Sequence, residues 1–287
     1  MIDRNKNVQI TDEALAFAKP MLGEDVGLSK RFISFSGGVE STTMCILFGK
    51  GAKAIWCDTG AEHEEMYATI DFVEAKLKEL HGNEFEIIRL KPNVKVKGTW
   101  VDNLLDAVLT WRFMPSPMMR YCTGKFKIEP IDNFLSQQGE CELMIGLNAD
   151  EESREGNWGL KANVKYSYPL QEKQLSRADC EDVLKIYKLH PNFPAYMLRG
   201  GCSMCFYKSE KEYKALWYLN RKEFDKMLEF EQEYQDQRKR TYGIMSSGKT
   251  LKQLSDECKN EMFQDDILET YKEYKKEGKS CGAFCRR

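Results

Sequence analysis

Residues Phe32 to Thr42, FISFSGGVEST, show the fold class more clearly than any other part of the chain. The first residues, FIS, have the apolar character of a buried strand, and the residues from Glu40 onward begin an amphipathic helix. A strand that passes through a glycine-rich turn into a helix directs backbone N–H groups and the positive end of the helix dipole at one point, where phosphate can bind. The spacing matches neither the Walker loop nor the dinucleotide fingerprint. A tight turn with serine capping is the alternative interpretation.

Short apolar runs alternate with amphipathic stretches through the first half of the chain. The sequences RFISFS, AKAIWCDTG, EFEIIRLK and CELMIGLNAD predict strands, and ESTTMCILFGKG, EEMYATIDFVEAKLKELHG and KIEPIDNFLSQQG predict helices. This alternation indicates an α/β fold, a Rossmann-like parallel sheet with helices on both faces. From about Ser176 onward the chain is charged and helical. We therefore expect a nucleotide-binding domain over residues 1–170 and a helical C-terminal region over residues 171–287.

The charge balance excludes a general attraction to polyanions. The 287-residue chain has 43 basic and 45 acidic side chains and a formal net charge of −2, so any contact with nucleic acid requires a local basic patch. The N-terminal residues contain no apolar signal segment, and no run approaches the ~18 apolar residues of a membrane helix, so we expect a cytoplasmic protein. The tryptophans are expected to pack in the core rather than to stack on bases.

Five segments follow one another between about residues 31 and 231. They are SFSGGVES, CDTGAEHEEMY, RYCTGKFKIEPI, IGLNADEESRE and GGCSMCF, the last of which precedes YKALWYLNRKEFDKMLEFE. In this order they resemble the S-G-G-x-D-S loop and later motifs of the sulfonucleotide (phosphoadenosine phosphosulfate) reductase-like family, phage and bacterial type, in the ATP pyrophosphatase (PP-loop) superfamily. Glu40 stands where the family usually has Asp, and Asn148 stands where Arg is common.

The resemblance implies a set of nucleotide-binding and catalytic residues. In this family the loop binds the pyrophosphate end of ATP, with Mg²⁺, and leaves the α-phosphorus open to attack. The residues implied to bind the nucleotide are Ser34, Ser36, Gly37, Gly38, Glu40, Ser41, Thr42, Asp58, Thr59, Gly60, Lys125 and Gly146. Catalytic roles, in positioning and charge neutralisation, are implied for Asp58, Lys127 and Arg154. Arg120 would line the same pocket, and Asp150 and Glu151 follow the fourth strand. Helix capping is an alternative role for Asp58.

The cysteines point to a metal or a cluster. Ten cysteines are many for a chain in a reducing compartment, where metal binding or redox chemistry competes with disulfide formation. Cys202 and Cys205 have the C-x-x-C spacing that lets two thiolates meet one metal or cluster. By resemblance, Cys122 is a third ligand, and Cys281 or Cys285 in the C-terminal SCGAFCRR is the fourth. This set favours a [4Fe–4S] cluster, and structural Zn²⁺ is the competing interpretation.

Three functions are compatible with these residues. The first hypothesis is an ATP-dependent enzyme that adenylates an acceptor and supports sulfur insertion or transfer onto a nucleotide or nucleic-acid-derived substrate, with a sulfur or electron donor protein as partner. The second is a reductase of adenylyl sulfate or phosphoadenylyl sulfate, in which the Cys281 thiol attacks sulfur, although SCGAF lacks the Glu and His of the family's E-C-G-L-H motif. The third is a non-catalytic nucleotide-binding module with structural zinc. No motif names the acceptor, and a homodimer is expected because the family often forms dimers.

Overall fold

A parallel sheet forms the centre of the molecule. The computed structural model describes residues 30–151, 161–191, 193–198, 200–245 and 247–260. Five strands pair in parallel in the order β3–β2–β1–β6–β7. These strands are β1 (Arg31–Ser34), β2 (Ala52–Cys57), β3 (Ile87–Leu90), β6 (Cys141–Met144) and β7 (Val164–Ser167). The predicted α/β fold is confirmed, and VKYS adds a fifth strand that the sequence did not predict.

The described helices cover both faces of this sheet. They are α1 (Val39–Phe48), α2 (Glu64–His81), α3 (Leu104–Trp111), α4 (Tyr121–Thr123), α5 (Glu129–Ser136), α6 (Pro169–Glu172), α7 (Arg177–Ile186), α8 (Glu210–Leu219), α9 (Arg221–Arg238) and α10 (Leu251–Asn260). A π-helical turn at Gly124–Ile128 joins α4 to α5, and a 3₁₀ turn spans Ala149–Glu151.

The strand residues alternate between two apolar clusters because successive side chains of a strand point to opposite faces. Phe32 and Ile55 pack on one face with Leu135 of α5. Ile33 and Trp56 pack on the other face, in a larger cluster that also contains residues of α1, α2 and α7 to α10. A strand covered on both faces has almost no polar positions, which explains the near-continuous apolar runs in the sequence.

The C-terminal helices share this larger cluster and are bounded by clear capping signals. Ser176 and Ser209 each begin a helix with a capping box. The serine hydroxyl accepts from the backbone N–H of Asp179 or Glu212, and the serine backbone N–H donates to the carboxylate of the same acid. The helix α7 packs on α1, where Thr43 Oγ1 donates to the backbone oxygen of Cys180 at 3.1 Å. The helical region therefore closes over one face of the sheet.

A small antiparallel hairpin of β4 (Val94–Val96) and β5 (Thr99–Val101) lies between β3 and α3. The sequence analysis did not predict it. Within the described ranges, no helix combines the length and apolar character needed to cross a membrane.

Candidate functional site

The serine and glycine loop lies between the end of β1 and the start of α1. Ser41 Oγ accepts from the backbone N–H of Ser36 at 3.2 Å and donates to the backbone oxygen of Gly38 at 3.2 Å. Gly38 is the N-cap of α1, and no side chain caps that helix. No side chain therefore occupies the first N–H groups of α1, and phosphate binding there stays a prediction.

Gly37 is required by the backbone of this loop. Its φ is 72°, and a Cβ at this position would lie 2.8 Å from Cε of Met66 in α2. The neighbouring Gly146 also allows a close approach, since its Cβ would lie 3.4 Å from the backbone of Glu40. Thr42, fully buried in α1, has a hydroxyl group with no hydrogen-bond partner among the described residues. Residues of α1 and α2 thus pack closely against the loop.

Glu40 and Asn148, the two departures from the family pattern, contact each other. Asn148 Nδ2 donates to Glu40 Oε1 at 3.2 Å, and both residues are buried. Arg177, at the start of α7, forms an ion pair with the same carboxylate oxygen. A cation from α7 therefore neutralises Glu40, although position 148 provides none. Sequence reasoning missed Arg177 because it lies 137 residues from Glu40.

Asp58 and Thr59 follow β2, next to the loop. Asp58 Oδ1 accepts from the backbone N–H of Gly60 at 2.9 Å and from the Tyr67 hydroxyl at 2.7 Å. The helix α2 begins five positions further on with His63 as its N-cap, so Asp58 does not cap that helix. Thr59 Oγ1 donates to Glu62 Oε1 at 2.9 Å and lies 3.5 Å from Cys202 Sγ.

Three of the predicted cysteine ligands surround the side chain of Lys127. Cys122, Cys202 and Cys205 all interact electrostatically with it, as does Glu62. An isolated β-bridge between Glu62 and Cys202 joins the C-x-x-C loop to the end of β2. Burial by itself lowers the pKa of Lys127, but the carboxylate and the thiols together raise that pKa above its ordinary value. Burial also raises the pKa of Cys122 and Cys202, so a metal would have to displace thiol protons.

These thiols form a donor set that could hold either a metal ion or an iron–sulfur cluster. In the described part of the chain, the three sulfur atoms are not a group whose members all lie within 4.8 Å of one another. Four thiolates on one Zn²⁺, each at roughly 2.3 Å, would be closer together than that. In an iron–sulfur cluster the cysteines bind as thiolates, and Lys127 would offset their negative charge. Cys122, Cys202 and Cys205 are therefore the described residues that could hold such a cluster.

A second polar cluster, His63 with Lys208 and Glu223, joins the C-x-x-C loop to α2 and α9. The Lys208 ammonium group contacts His63 Nε2, and His63 Nδ1 faces Glu223 Oε1 at 2.6 Å. Burial and Lys208 lower the pKa of His63 despite the opposing effect of Glu223, so the ring is neutral at pH 7. His63, Glu65 and Glu223 also lie within 4.8 Å of one another. Because the ammonium group fixes Nε2 as an acceptor, Nδ1 carries the proton and has no lone pair for a metal.

Residues 30–162 match the family described as the phosphoadenosine phosphosulfate reductase domain. The chain carries a phosphoadenosine phosphosulfate reductase-like domain of the PP-loop superfamily. The predicted family is thereby confirmed. No curated protein matches the chain.

The reductase-like domain contains the loop, Asp58, Cys122 and Lys127, whereas Cys202 and Cys205 lie beyond the matched residues. The contact between Thr59 and Cys202 brings the C-x-x-C loop next to the end of β2, where the residues of the matched domain lie.

Several other predicted residues lie at the edge of this site or outside the described ranges. Arg120 extends over the Tyr207 ring, with its Cζ atom 5.5 Å from the ring centroid. Lys125 is exposed and pairs with Glu129 at 2.9 Å, as an ordinary surface lysine does. Asp150 Oδ2 accepts from the backbone N–H of Arg177 at 2.9 Å. Arg154, Cys281 and Cys285 lie outside the described residues.

Proposed function

We propose that the chain is an ATP-dependent enzyme that adenylates an acceptor and supports sulfur insertion or transfer onto a nucleotide or nucleic-acid-derived substrate. One observation carries the proposal. The uncapped N-terminus of α1 and its Ser-Gly-Gly loop lie at the same sheet edge as three cysteines, all of which interact electrostatically with Lys127. A phosphate site beside a thiol cluster supports a reaction that combines nucleotide and sulfur chemistry.

The loop would hold the β- and γ-phosphates of ATP on the backbone N–H groups of Gly37, Gly38 and the first turn of α1. An oxygen of the acceptor would attack the α-phosphorus, the bond to the bridging oxygen would break, and pyrophosphate would leave with the electron pair. A hydrosulfide ion would then attack the activated carbon or phosphorus centre and form a bond to sulfur, and AMP would leave with the electron pair of the broken bond to oxygen. Lys127 and Arg120 would offset the negative charge that develops on the phosphates.

The [4Fe–4S] cluster proposed here would be held by Cys122, Cys202, Cys205 and either Cys281 or Cys285. When bound, it would supply electrons or a binding point for sulfur. Glu62 and Thr59 would position Cys202 through their contacts of 3.5 Å to its sulfur atom. Asp58 would orient a Mg²⁺ ion or the ribose from the end of β2.

The first test is the iron, zinc and acid-labile sulfide content of anaerobically purified protein, together with its visible spectrum. We expect iron with equal sulfide and a broad absorption band near roughly 400 nm, as thiolate-bound clusters show. The second test is release of pyrophosphate and AMP from ATP in the presence of oligonucleotide, nucleobase and small-molecule acceptors. Zinc without iron would contradict the cluster, and the absence of pyrophosphate with every acceptor would contradict adenylation.

A sulfonucleotide reductase is the second candidate, because the matched family is described by that reaction. In this reaction a thiol attacks the sulfate sulfur and releases the nucleotide, and a second thiol then releases sulfite. Incubation with adenylyl sulfate or phosphoadenylyl sulfate and a dithiol reductant would reveal sulfite. If Cys281→Ser forms sulfite at the wild-type rate, the thiol of Cys281 is not the nucleophile.

A further inference from the structure

The β4–β5 hairpin has one apolar face and one exposed basic face. Val94 pairs with Val101, Lys95 with Trp100, and Val96 with Thr99. Val94 and Val96 are buried, and the hairpin packs on α3. Because paired residues of neighbouring strands point to the same side, Lys95 and Trp100 share the outer face. There the Lys95 ammonium group lies 5.8 Å from the centroid of the Trp100 ring.

Trp100 is 60% exposed, so the expectation that the tryptophans pack in the core is wrong for this residue. A single exposed aromatic ring is common on protein surfaces, but a ring beside an ammonium group offers a flat face on which a base can stack. The position is not a consequence of a loose loop. Lys97 and Gly98, the two residues between the strands, both have positive φ, at 46° and 91°, as a tight two-residue hairpin turn requires. The backbone that carries Trp100 is therefore held by a defined turn.

The base of the hairpin is fixed to the strand ends that form the candidate nucleotide site. The backbone N–H of Asp58 donates to the oxygen of Leu90, the last residue of β3, at 2.8 Å. On the other side, the N–H of Leu104 donates to the oxygen of Thr59 at 2.8 Å. Trp100 lies three positions before Asn103, so its Cα atom is within about 10 Å of chain reach from that edge.

The hairpin and the residues that lead into it carry an excess of positive charge. Lys91, Lys95 and Lys97 are exposed, and none of the three forms an ion pair with a described residue. Asp102 is the one acidic residue between positions 91 and 102. Exposed lysines elsewhere, such as Lys76 and Lys252, pair with acids on their own helices. This charge contrasts with the net charge of −2 for the whole chain.

We propose that this face binds a single-stranded nucleic acid and presents it to the nucleotide site. An unpaired base would stack on Trp100, and its flanking phosphates would contact Lys95 and Lys97. A duplex conceals its base faces and would engage only the lysines. A protein hot spot would surround the tryptophan with a rim of neutral contacts, whereas here an ammonium group lies over the ring. The inference specifies the acceptor class of the proposed adenylating enzyme, and to that extent it rests on the proposed function.

The test measures binding of fluorescein-labelled single-stranded DNA and RNA of about 12 nucleotides, a length within the range of single-strand sites, by fluorescence anisotropy. Trp100→Ala should weaken binding about 5-fold to 100-fold, the loss expected from one stacked base. The matched control is Phe72→Ala on α2, because Phe72 is an exposed aromatic residue, 46% exposed, away from the hairpin. That control should bind as the wild type does.

The lysines are tested through the salt dependence of the same affinity. The double variant Lys95→Gln/Lys97→Gln should reduce the slope of log affinity against log salt by about 1.4, since each single-strand phosphate contact contributes about 0.7. The control Lys50→Gln/Lys222→Gln removes two exposed lysines elsewhere and should leave the slope unchanged. Equal effects of both double variants would show non-specific attraction and would overturn the inference.

Two further outcomes would also overturn it. One is oligonucleotide binding that Trp100→Ala and Phe72→Ala affect equally. The other is wild-type protein that binds duplex, or a poly-glutamate peptide, as tightly as it binds a single strand. ATP binding and pyrophosphate release, measured on the same samples, separate the two proposals. If the protein releases pyrophosphate but binds no single strand, the proposed binding surface is wrong and the proposed reaction stands. If it binds a single strand through Trp100 but releases no pyrophosphate, the proposed reaction is wrong and the binding surface stands.

Discussion

Gly37 and Gly38 are adjacent, but only the first is required by backbone geometry. Gly37 has φ 72°, which side chains other than glycine rarely adopt, and its Cβ would meet Met66. Gly38 has φ −87°, and its Cβ would lie 3.4 Å from Ser36 Oγ. The two glycines of the loop therefore have separable roles.

We expect Gly37→Ala to lower the free energy of unfolding by about 1–2 kcal/mol, the cost of a left-handed backbone with a Cβ, and to weaken ATP binding because the loop must move. Gly38→Ala should change stability by less than about 0.5 kcal/mol. Thermal unfolding with and without ATP measures both effects. If the two variants lose equal stability, the backbone argument for Gly37 is wrong.

The ion pair between Arg177 and Glu40 makes a second prediction at the residue scale. Arg177→Gln should cost about 2–3 kcal/mol, because it removes the Arg177 guanidinium group from the buried Glu40 carboxylate. Adding Glu40→Gln should recover much of this loss, since a neutral amide can still bond Asn148. Urea unfolding of the two single variants and the double variant gives the coupling energy. Glu181→Gln, which removes a more distant partner at 3.6 Å, is the control and should cost less than about 0.5 kcal/mol. Additive losses would contradict the pairing.

The helix α10 is capped from another helix. Glu231 of α9 is 1% exposed, and its two carboxylate oxygens accept from the backbone N–H groups of Ile244 at 3.1 Å and Leu251 at 2.7 Å. Burial raises its pKa to about 7, although the backbone donors oppose the rise. Glu231 thus joins the segment between α9 and α10 to the core through a buried ionisable group.

This pKa predicts a pH dependence of stability. Because the folded-state pKa lies above the ordinary value of 4.5, the contribution of Glu231 is complete below about pH 4.5 and is lost as the pH rises through about 7. Glu231→Gln should remove a fall on the order of 3 kcal/mol between pH 5 and pH 8, as urea unfolding at several pH values would show. The control Glu233→Gln, exposed on the same helix, should keep the wild-type profile. An unchanged profile for Glu231→Gln would contradict the raised pKa.

At the scale of the elements, the sequence predicted what depends on local pattern. The strands β1, β2, β3 and β6 and the helices α1, α2 and α5 follow from apolar runs and helical spacing. The hairpin was missed because its strands have only three residues each. The alternation of apolar and polar residues in VKVKGTW and the Lys-Gly turn do indicate a hairpin. At the site, the motif residues were predicted by resemblance. Arg177 and Lys208 could not be, because their partners are distant in sequence and no spacing marks them.

One apolar cluster continues from the sheet into the C-terminal helices. It therefore crosses the boundary at residue 170 that the sequence analysis proposed between two regions. Met66 illustrates the continuity, because it lies against Gly37 of the loop and its sulfur atom lies 2.8 Å from the position of a Cβ at Gly200. A shared core makes the stability of each region depend on the other.

We therefore expect calorimetry to show one unfolding transition for the whole chain. Met66→Ala should shift that transition down as a unit, by the 2–5 kcal/mol typical of a buried large-to-small substitution. Met118→Ala is the control, since Met118 is 96% exposed, and it should leave the transition in place. Two separate peaks, or a shift confined to one of them, would show that the regions unfold independently.

The contact of Glu40 with Asn148 and Arg177 also has a consequence for how this lineage can vary. Glutamate at position 40 receives its positive charge from α7, so arginine at position 148 is dispensable. A relative with aspartate at position 40, one methylene shorter, would reach Arg177 less easily and would need the cation at position 148 instead. Substitutions at these three positions should therefore occur together in descent. Ancestors that passed between the two arrangements would have done so through a neutral or doubly paired intermediate.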